Sequence, residues 1–397
     1  MSAQATLQNN SFRVDSIDLL RGTIMIIMAL DHTRDYFHAD AFQYDPSDPY
    51  KTNAILFFTR WITHFCAPLF VLLAGTSAFL SAKNKAKKDL AFSLIKRGLS
   101  LILIEIVIIN FAWSFNIHLP RITLGVLWAL GVSMMCLAGF IWLPKRALLS
   151  VGLLIVFAHN LLDSVHIPGN NFHAFLWGLL HDRRPFTLGD TMIRSSYPLI
   201  PWIGVMALGY VLGNIFTADF NPSKRKRILV YIGSVSVLLF ILIRQSNVYG
   251  DPVTWSSQLP AIQTVFSFLN VTKYPPSLDF LLMTLGPGFL FLGFTETLSN
   301  KAKIILTYGK VPLFYYIIHL YLIHLLAVLA ALLSGFKVTD MVFTTALRDS
   351  PNLKGYGFEL WVVYLIWIAL VIGLYPMCNW FTHYKEAHRS NRWVRYL

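Results

Sequence analysis

Five ionisable residues crowd into eight positions near the start of the chain: Asp31, His32, Arg34, Asp35 and His38, within ALDHTRDYFH (29–38). On a helix His32 and Asp35 stand one turn apart, as do Asp35 and His38, and Asp31 and Arg34. A histidine oriented by a carboxylate is a general base, with a pKa that its surroundings can place near neutrality. Such a base removes a proton from an amine or hydroxyl. The plainer reading is a polar helix end entering water, which does not require this density of groups. Further along, GKVPLFYYIIHLYLIHLL (309–326) carries His319 and His324 in an apolar stretch, with Tyr315 one turn before His319. A histidine inside such a helix either bonds a neighbouring helix or lines a site, and both readings stand for His319. Arg21, Lys96 and Arg97 lie at the ends of apolar runs, and Lys310 precedes a proline-initiated helix. These cations either snorkel to lipid phosphates or hold a phosphorylated cofactor. Glu105 is an acid inside an apolar run with no partner evident. No phosphate loop, zinc spacing or dinucleotide fingerprint occurs, and no metal is expected.

The elements that must position these residues are membrane helices. The chain has 397 residues, of which 55% are hydrophobic and 13% charged, with a mean hydropathy of +0.56. Soluble domains are about one-quarter charged, so the composition marks a polytopic membrane protein. A net charge of +13 would point a soluble domain toward nucleic acid; here it bears on which side the cations occupy. Apolar runs of membrane length cover 16–36, 54–81, 97–116, 123–143, 147–164, 197–217, 228–244, 277–298, 311–334 and 358–381. The expected fold is all-α, with about ten transmembrane helices in a single domain over 1–397. Basic clusters recur in every second loop (83–88, 144–146, 223–227, 300–303) and in the tail. That pattern places both termini in the cytoplasm, with a polar N-terminal tail over 1–15 and a basic tail over 382–397. The outer loops are long, and 172–180 and 260–269 read as short interfacial helices. No cleaved signal peptide is expected. Cys66, Cys136 and Cys378 read as small core residues without disulfides. On an unbroken first helix the eleven steps from Arg21 to His32 cover roughly 16 Å. They return to nearly the same face, so one stripe would join the two membrane surfaces.

Several stretches resemble bacterial relatives of heparan-α-glucosaminide N-acetyltransferase, within the transmembrane acyltransferase superfamily. They are SIDLLRG (16–22) with LDHTRDYFH (30–38), ITLGVLWALG (122–131), YPLIPWIGVMALGYVLG (197–213), KYPPSLDFLLMTLGPG (273–288) and YGKVPLFYYIIHLYLIH (308–324). The resemblance implies an acyltransferase of the bacterial cytoplasmic (inner) membrane. Its donor would be cytoplasmic acetyl-CoA and its acceptor an amine or hydroxyl of an extracytoplasmic, glucosamine-like sugar or glycan. His32, Asp31, Asp35 and His38 would then be catalytic. Arg21, Lys96, Arg97 and Lys310 would hold acetyl-CoA, and Arg34, Tyr315 and His319 would line the acceptor site. The superfamily places its central polar residue at the outer end of the first helix, where His32 stands. The lysosomal relative has its active histidine a little further on, nearest to His38, so either histidine fits the role of base. Lipids are the expected surroundings, a homodimer is compatible with the reading, and nucleic acid is not an expected partner. The alternative is a multi-span transporter or permease for a small polar or anionic solute. It predicts paired discontinuous helices in the two halves; Gly286-Pro287 and Pro312 have no match in the first half. A non-catalytic scaffold would leave the intramembrane histidines and arginines unexplained.

Overall fold

In a bilayer every backbone N–H and C=O must be satisfied internally, and an apolar run meets this by coiling into a helix. The computed structural model describes residues 14–82, 85–257, 260–296 and 302–388 and is mostly helical. Residues 1–13 of the polar N-terminal stretch, 83–84 and 300–301 of the basic loops and 389–397 of the basic tail lie outside the described residues.

The chain opens with α1 (Asp15–Phe37), unbroken through the polar cluster. The pair α2 (Ala54–Trp61) and α3 (Cys66–Leu80) follows, joined through a tight turn into one 27-residue segment. Next, α4 (Lys87–Leu103) runs through a π-helical turn (Ile104–Ile109) into the short α5 (Asn110–Ser114). Helices α6 (Val126–Phe140) and α7 (Lys145–Ala158) precede the outer-loop helix α8 (Phe172–Leu180). After them come α9 (Leu199–Leu212), α10 (Pro222–Ser246) and a second loop helix, α11 (Ala261–Leu269). The last four are α12 (Leu278–Thr295), α13 (Lys303–Lys310), α14 (Pro312–Leu333) and α15 (Leu360–Ala387). The two loop helices form where the sequence places them.

One expectation is met in part, and one needs correction. Seven described segments are both long and apolar enough to cross a membrane: Ala54–Leu80, Lys145–Leu162, Leu199–Phe216, Pro222–Ser246, Leu278–Thr295, Pro312–Leu333 and Leu360–Ala387. Of the ten expected spans, the run at 16–36 is helical but charged at both ends. The run at 97–116 is divided by the π turn, and the one at 123–143 is a helix of only 15 residues. The fold is also not purely helical. Strands β1 (Arg121–Leu124), β2 (Pro185–Leu188) and β3 (Thr191–Ser195) form a sheet in the order β1-β3-β2. β1 runs parallel to β3, and β2 antiparallel to it. Strands of four or five residues in polar loops carry too little alternation to announce themselves.

α1 is the central element, packed against α3, α13, α14 and α15. Small residues let backbones meet closely inside a membrane. A Cβ on Gly22 would strike the Ile305 carbonyl, and one on Gly309 the Asp18 carbonyl, so α1 and α13 touch backbone to backbone. Gly75 and Gly209 make the same kind of contact between α3 and α9. These contacts fix the rotation of α1, and with it the direction in which the polar cluster faces.

Candidate active site

Residues at alternating steps of four and three share one helix face. On α1 these are Arg21, Met25, Met28, His32 and Asp35, and all five line a chain of adjoining cavities. At the Arg21 end a chamber of about 320 Å³ is bordered by Arg21, Arg97, Lys310 and Lys385. It shares Arg21, Ala74, Leu101, Met134, Pro312 and Leu313 with a narrow shaft of about 150 Å³. The shaft is apolar apart from Arg21 and Tyr316. Through Met28, Phe70, Val126 and Tyr316 it adjoins a chamber of about 370 Å³ around His32. Beyond that lies a mouth of about 900 Å³, bordered by Arg60, Lys273 and Tyr274 among others. The expected stripe from Arg21 to His32 therefore lines these adjoining cavities.

His32 is held by another histidine rather than by a carboxylate. Its Nδ1 lies 2.8 Å from Nε2 of His319, with the rings 9° from parallel. His319 Nδ1 lies 2.8 Å from the Tyr315 carbonyl. A carbonyl only accepts, so His319 Nδ1 carries the proton and, in the neutral ring, Nε2 is an acceptor. His32 must then donate from Nδ1, which leaves the lone pair on its own Nε2. Among the described residues that nitrogen has no hydrogen-bond partner. The edge of Trp113 meets the His32 ring at a centroid distance of 5.0 Å. Trp113 is fixed in turn by Tyr36, whose hydroxyl donates to the Trp113 carbonyl at 2.9 Å.

The carboxylates expected to orient His32 are engaged elsewhere. Asp31 accepts from Arg34 at 2.8 Å and from Arg60 at 2.5 Å, while Asp35 accepts from Arg34 at 2.6 Å. The Asp31–Arg34 pair one turn apart forms as expected, and the pairings of Asp35 with His32 and His38 do not. His38 lies past the end of α1, where a backbone bridge to Phe358 straps the chain, and it lines none of the four cavities. The site thus collects His32, Asp31, Asp35, Arg34 and the supporting His319, and leaves His38 outside.

Tyr315 also departs from expectation. Its ring stacks on His319 and its buried hydroxyl has no partner, so it supports the histidine from behind. Its neighbour Tyr316, ~100° around the helix, lines the shaft and the His32 chamber. His324 lies with its two nitrogens 2.7 and 2.9 Å from the carbonyls of Ala112 and Met341 and serves packing. Of the four cations expected to hold acetyl-CoA, Arg21, Arg97 and Lys310 border the basic chamber. Lys96 does not; it is exposed, with its ammonium 4.1 Å from the Phe92 ring centroid.

Arg60, Trp113, Tyr316 and Glu105 border the His32 chamber without having been singled out as site residues. Arg60, a cation inside the run at 54–81, and Glu105, an acid inside the run at 97–116, carried a usable signal. Glu105 sits in the π turn and accepts from the Leu127 N–H at 2.7 Å, at the start of α6. Asn110 secures the same corner, donating to the Glu105 and Thr123 carbonyls and accepting from the Thr123 N–H.

A search of curated proteins finds no match. The family model described as heparan-alpha-glucosaminide N-acetyltransferase, catalytic, matches residues 13–245. That segment carries α1 with His32, Arg60, Glu105 and the whole sheet; His319 lies beyond it. With more than half of its length matched, the chain belongs to the heparan-alpha-glucosaminide N-acetyltransferase catalytic family, and with it to the membrane acetyltransferases.

Proposed function

We propose that this protein moves an acetyl group from acetyl-CoA, bound at the Arg21 end, to an amine or hydroxyl of a sugar bound at the His32 end. The observation that carries the reading is the row of adjoining cavities along α1: cations at one end, an apolar shaft, and a histidine with a free lone pair beyond it. Arg97, Lys310 and Arg21 would meet the phosphates of the donor, since cations in a partly enclosed chamber favour anionic groups. The shaft suits a flexible, weakly polar arm that carries the thioester toward His32. There Nε2 of His32 takes the proton from the acceptor as its nitrogen or oxygen bonds the acetyl carbon. The carbon–sulfur bond breaks, and His32 returns the proton to the departing thiolate. His319 accepts from Nδ1 throughout and passes part of the charge toward the Tyr315 carbonyl.

Ten membrane crossings in a single domain, cytoplasmic termini and a bacterial inner membrane complete the proposal. In that orientation the Arg21 end faces the cytoplasm, where acetyl-CoA is found. The test is thermal melting of detergent-purified protein against acetyl-CoA and free CoA. A ligand of the native state raises the melting temperature saturably. Stabilisation that weakens in Arg97→Ala and Lys310→Ala supports the donor site; no shift at millimolar ligand, with folded protein, contradicts it.

A further inference from the structure

The far mouth holds more positive charge than its own carboxylates neutralise. Arg34 and Arg60 are paired with Asp31 and Asp35, and Arg348 with Asp45. Arg121, Arg183, Arg194 and Lys273 line the same cavity, and among the described residues none of them reaches a carboxylate. Of the acids still lining it, Asp48 accepts from the Tyr50 N–H of its own loop, and Asp349 attracts Arg121 only across a gap. The four cations converge from three directions. Thr123 on β1 pairs with Arg194 on β3, and residues two apart on a strand share a face, so Arg121 and Arg194 stand on one side of the sheet. Arg183, just before β2, lies 4.4 Å over the Tyr274 ring, and the Lys273 ammonium lies 5.3 Å from that ring. Nε of Arg194 is buried without a partner. Burial, and then the charge of Arg194, pulls the Arg121 guanidinium below the ordinary arginine value. Burial acts to raise the Tyr274 phenol, but Lys273, Arg60, a hydrogen bond with Tyr197 and Arg183 together hold it below its usual value.

Like charges gathered without counter-charge destabilise one another, and an oxyanion placed among them reverses that cost. Arginine forks match phosphate oxygens in particular. We propose that Arg121, Arg183, Arg194 and Lys273 form an anion subsite for the acceptor, so that the reacting sugar, or the unit beside it, carries a phosphate-type group. The inference rests on the transferase reading for its choice of ligand. The same side chains would also suit the phosphates of lipid headgroups. The mouth shares Lys273, Tyr274 and Arg60 with the His32 chamber, which favours a ligand delivered to His32.

The experiment is melting of the full-length protein in detergent against glucosamine, glucosamine 6-phosphate and inorganic phosphate. Wild type is compared with an Arg121→Gln/Arg194→Gln double variant. The expected result is saturable stabilisation by the phosphorylated sugar, with an apparent Kd about tenfold or more weaker in the double variant. Where the double variant does not fold, Arg183→Gln, on an exposed side chain, carries the comparison. A second arm omits sugar and compares phosphatidylcholine nanodiscs with and without phosphatidylglycerol. Equal responses to the two sugars up to millimolar overturn the subsite, as does arginine-dependent stabilisation seen only with the anionic lipid. A parallel acetyl-CoA titration separates the two claims: its failure in wild type contradicts the transferase reading, while the sugar arm judges the subsite.

Discussion

A histidine is worth most as a base when one nitrogen is committed and the other is left free, and His319 provides that commitment for His32. On the proposed reading His319 is a positioning residue. His319→Leu should lower kcat by about 10–100-fold, taking as the scale the losses on removing outer partners of metal-bound histidines, with little change in KM for acetyl-CoA. His319→Gln keeps a side-chain acceptor and should recover part of the rate. Equal losses in both variants, or a loss carried entirely by KM, would contradict the positioning role. The ion network beside it is a different matter. Asp31 is buried with two guanidiniums, and Asp31→Ala leaves Arg60 without a carboxylate and Arg34 with Asp35 alone. Breaking a buried pair this way costs about 3–5 kcal/mol, so the variant should melt markedly lower in detergent even without substrate. These residues were visible in the sequence because ionisable groups stand out in apolar runs. Which group faces which ring was not visible. His32 lies within reach of two carboxylates along its own helix, yet its partner comes from α14, 287 positions away. Arg60 was overlooked for the same reason, since its bond to Asp31 depends on how α2 is turned toward α1.

At the scale of elements, the passage depends on how closely α1 approaches α13 and how the start of α6 is held. The backbone contact at Gly22 and Gly309 leaves no room for a methyl group. Gly309→Ala should cost about 1–3 kcal/mol through overpacking, read as a lower melting temperature with loss of transfer. An unchanged melting point would show that α13 is free to move away. Glu105 joins the π turn to the Leu127 N–H. Glu105→Leu leaves that buried donor unsatisfied and should destabilise by about 1–3 kcal/mol. The helices themselves were legible from hydropathy, and so were the loop helices α8 and α11. The sheet was not: β2 and β3 form a hairpin across Gly189-Asp190 but are only four and five residues long, and β1 joins β3 from a distant part of the chain, so none carries a periodic pattern of its own.

For the whole molecule, a passage joining two chemically different ends is the feature that separates a membrane transferase from a scaffold. Hydropathy and the asymmetry of basic loops suggested such an arrangement, and the first helix supplied both ends of the stripe. The shaft between them was not readable, because its walls are ordinary apolar residues of several helices. Ala74 borders both the basic chamber and the shaft. Ala74→Phe should block the arm of the donor, lowering transfer about tenfold or more while CoA still stabilises the protein, since one misplaced contact along a reaction path can cost that much. The most direct measurement uses sealed proteoliposomes with labelled acetyl-CoA on one side and an aminosugar acceptor on the other, for wild type and His32→Ala. The account predicts labelled acetyl on the acceptor across the bilayer, reduced about 10²–10⁴-fold in the variant, as expected on removing a general base. Transfer at the wild-type rate by His32→Ala, or acetylation only when both substrates share one side, would contradict it.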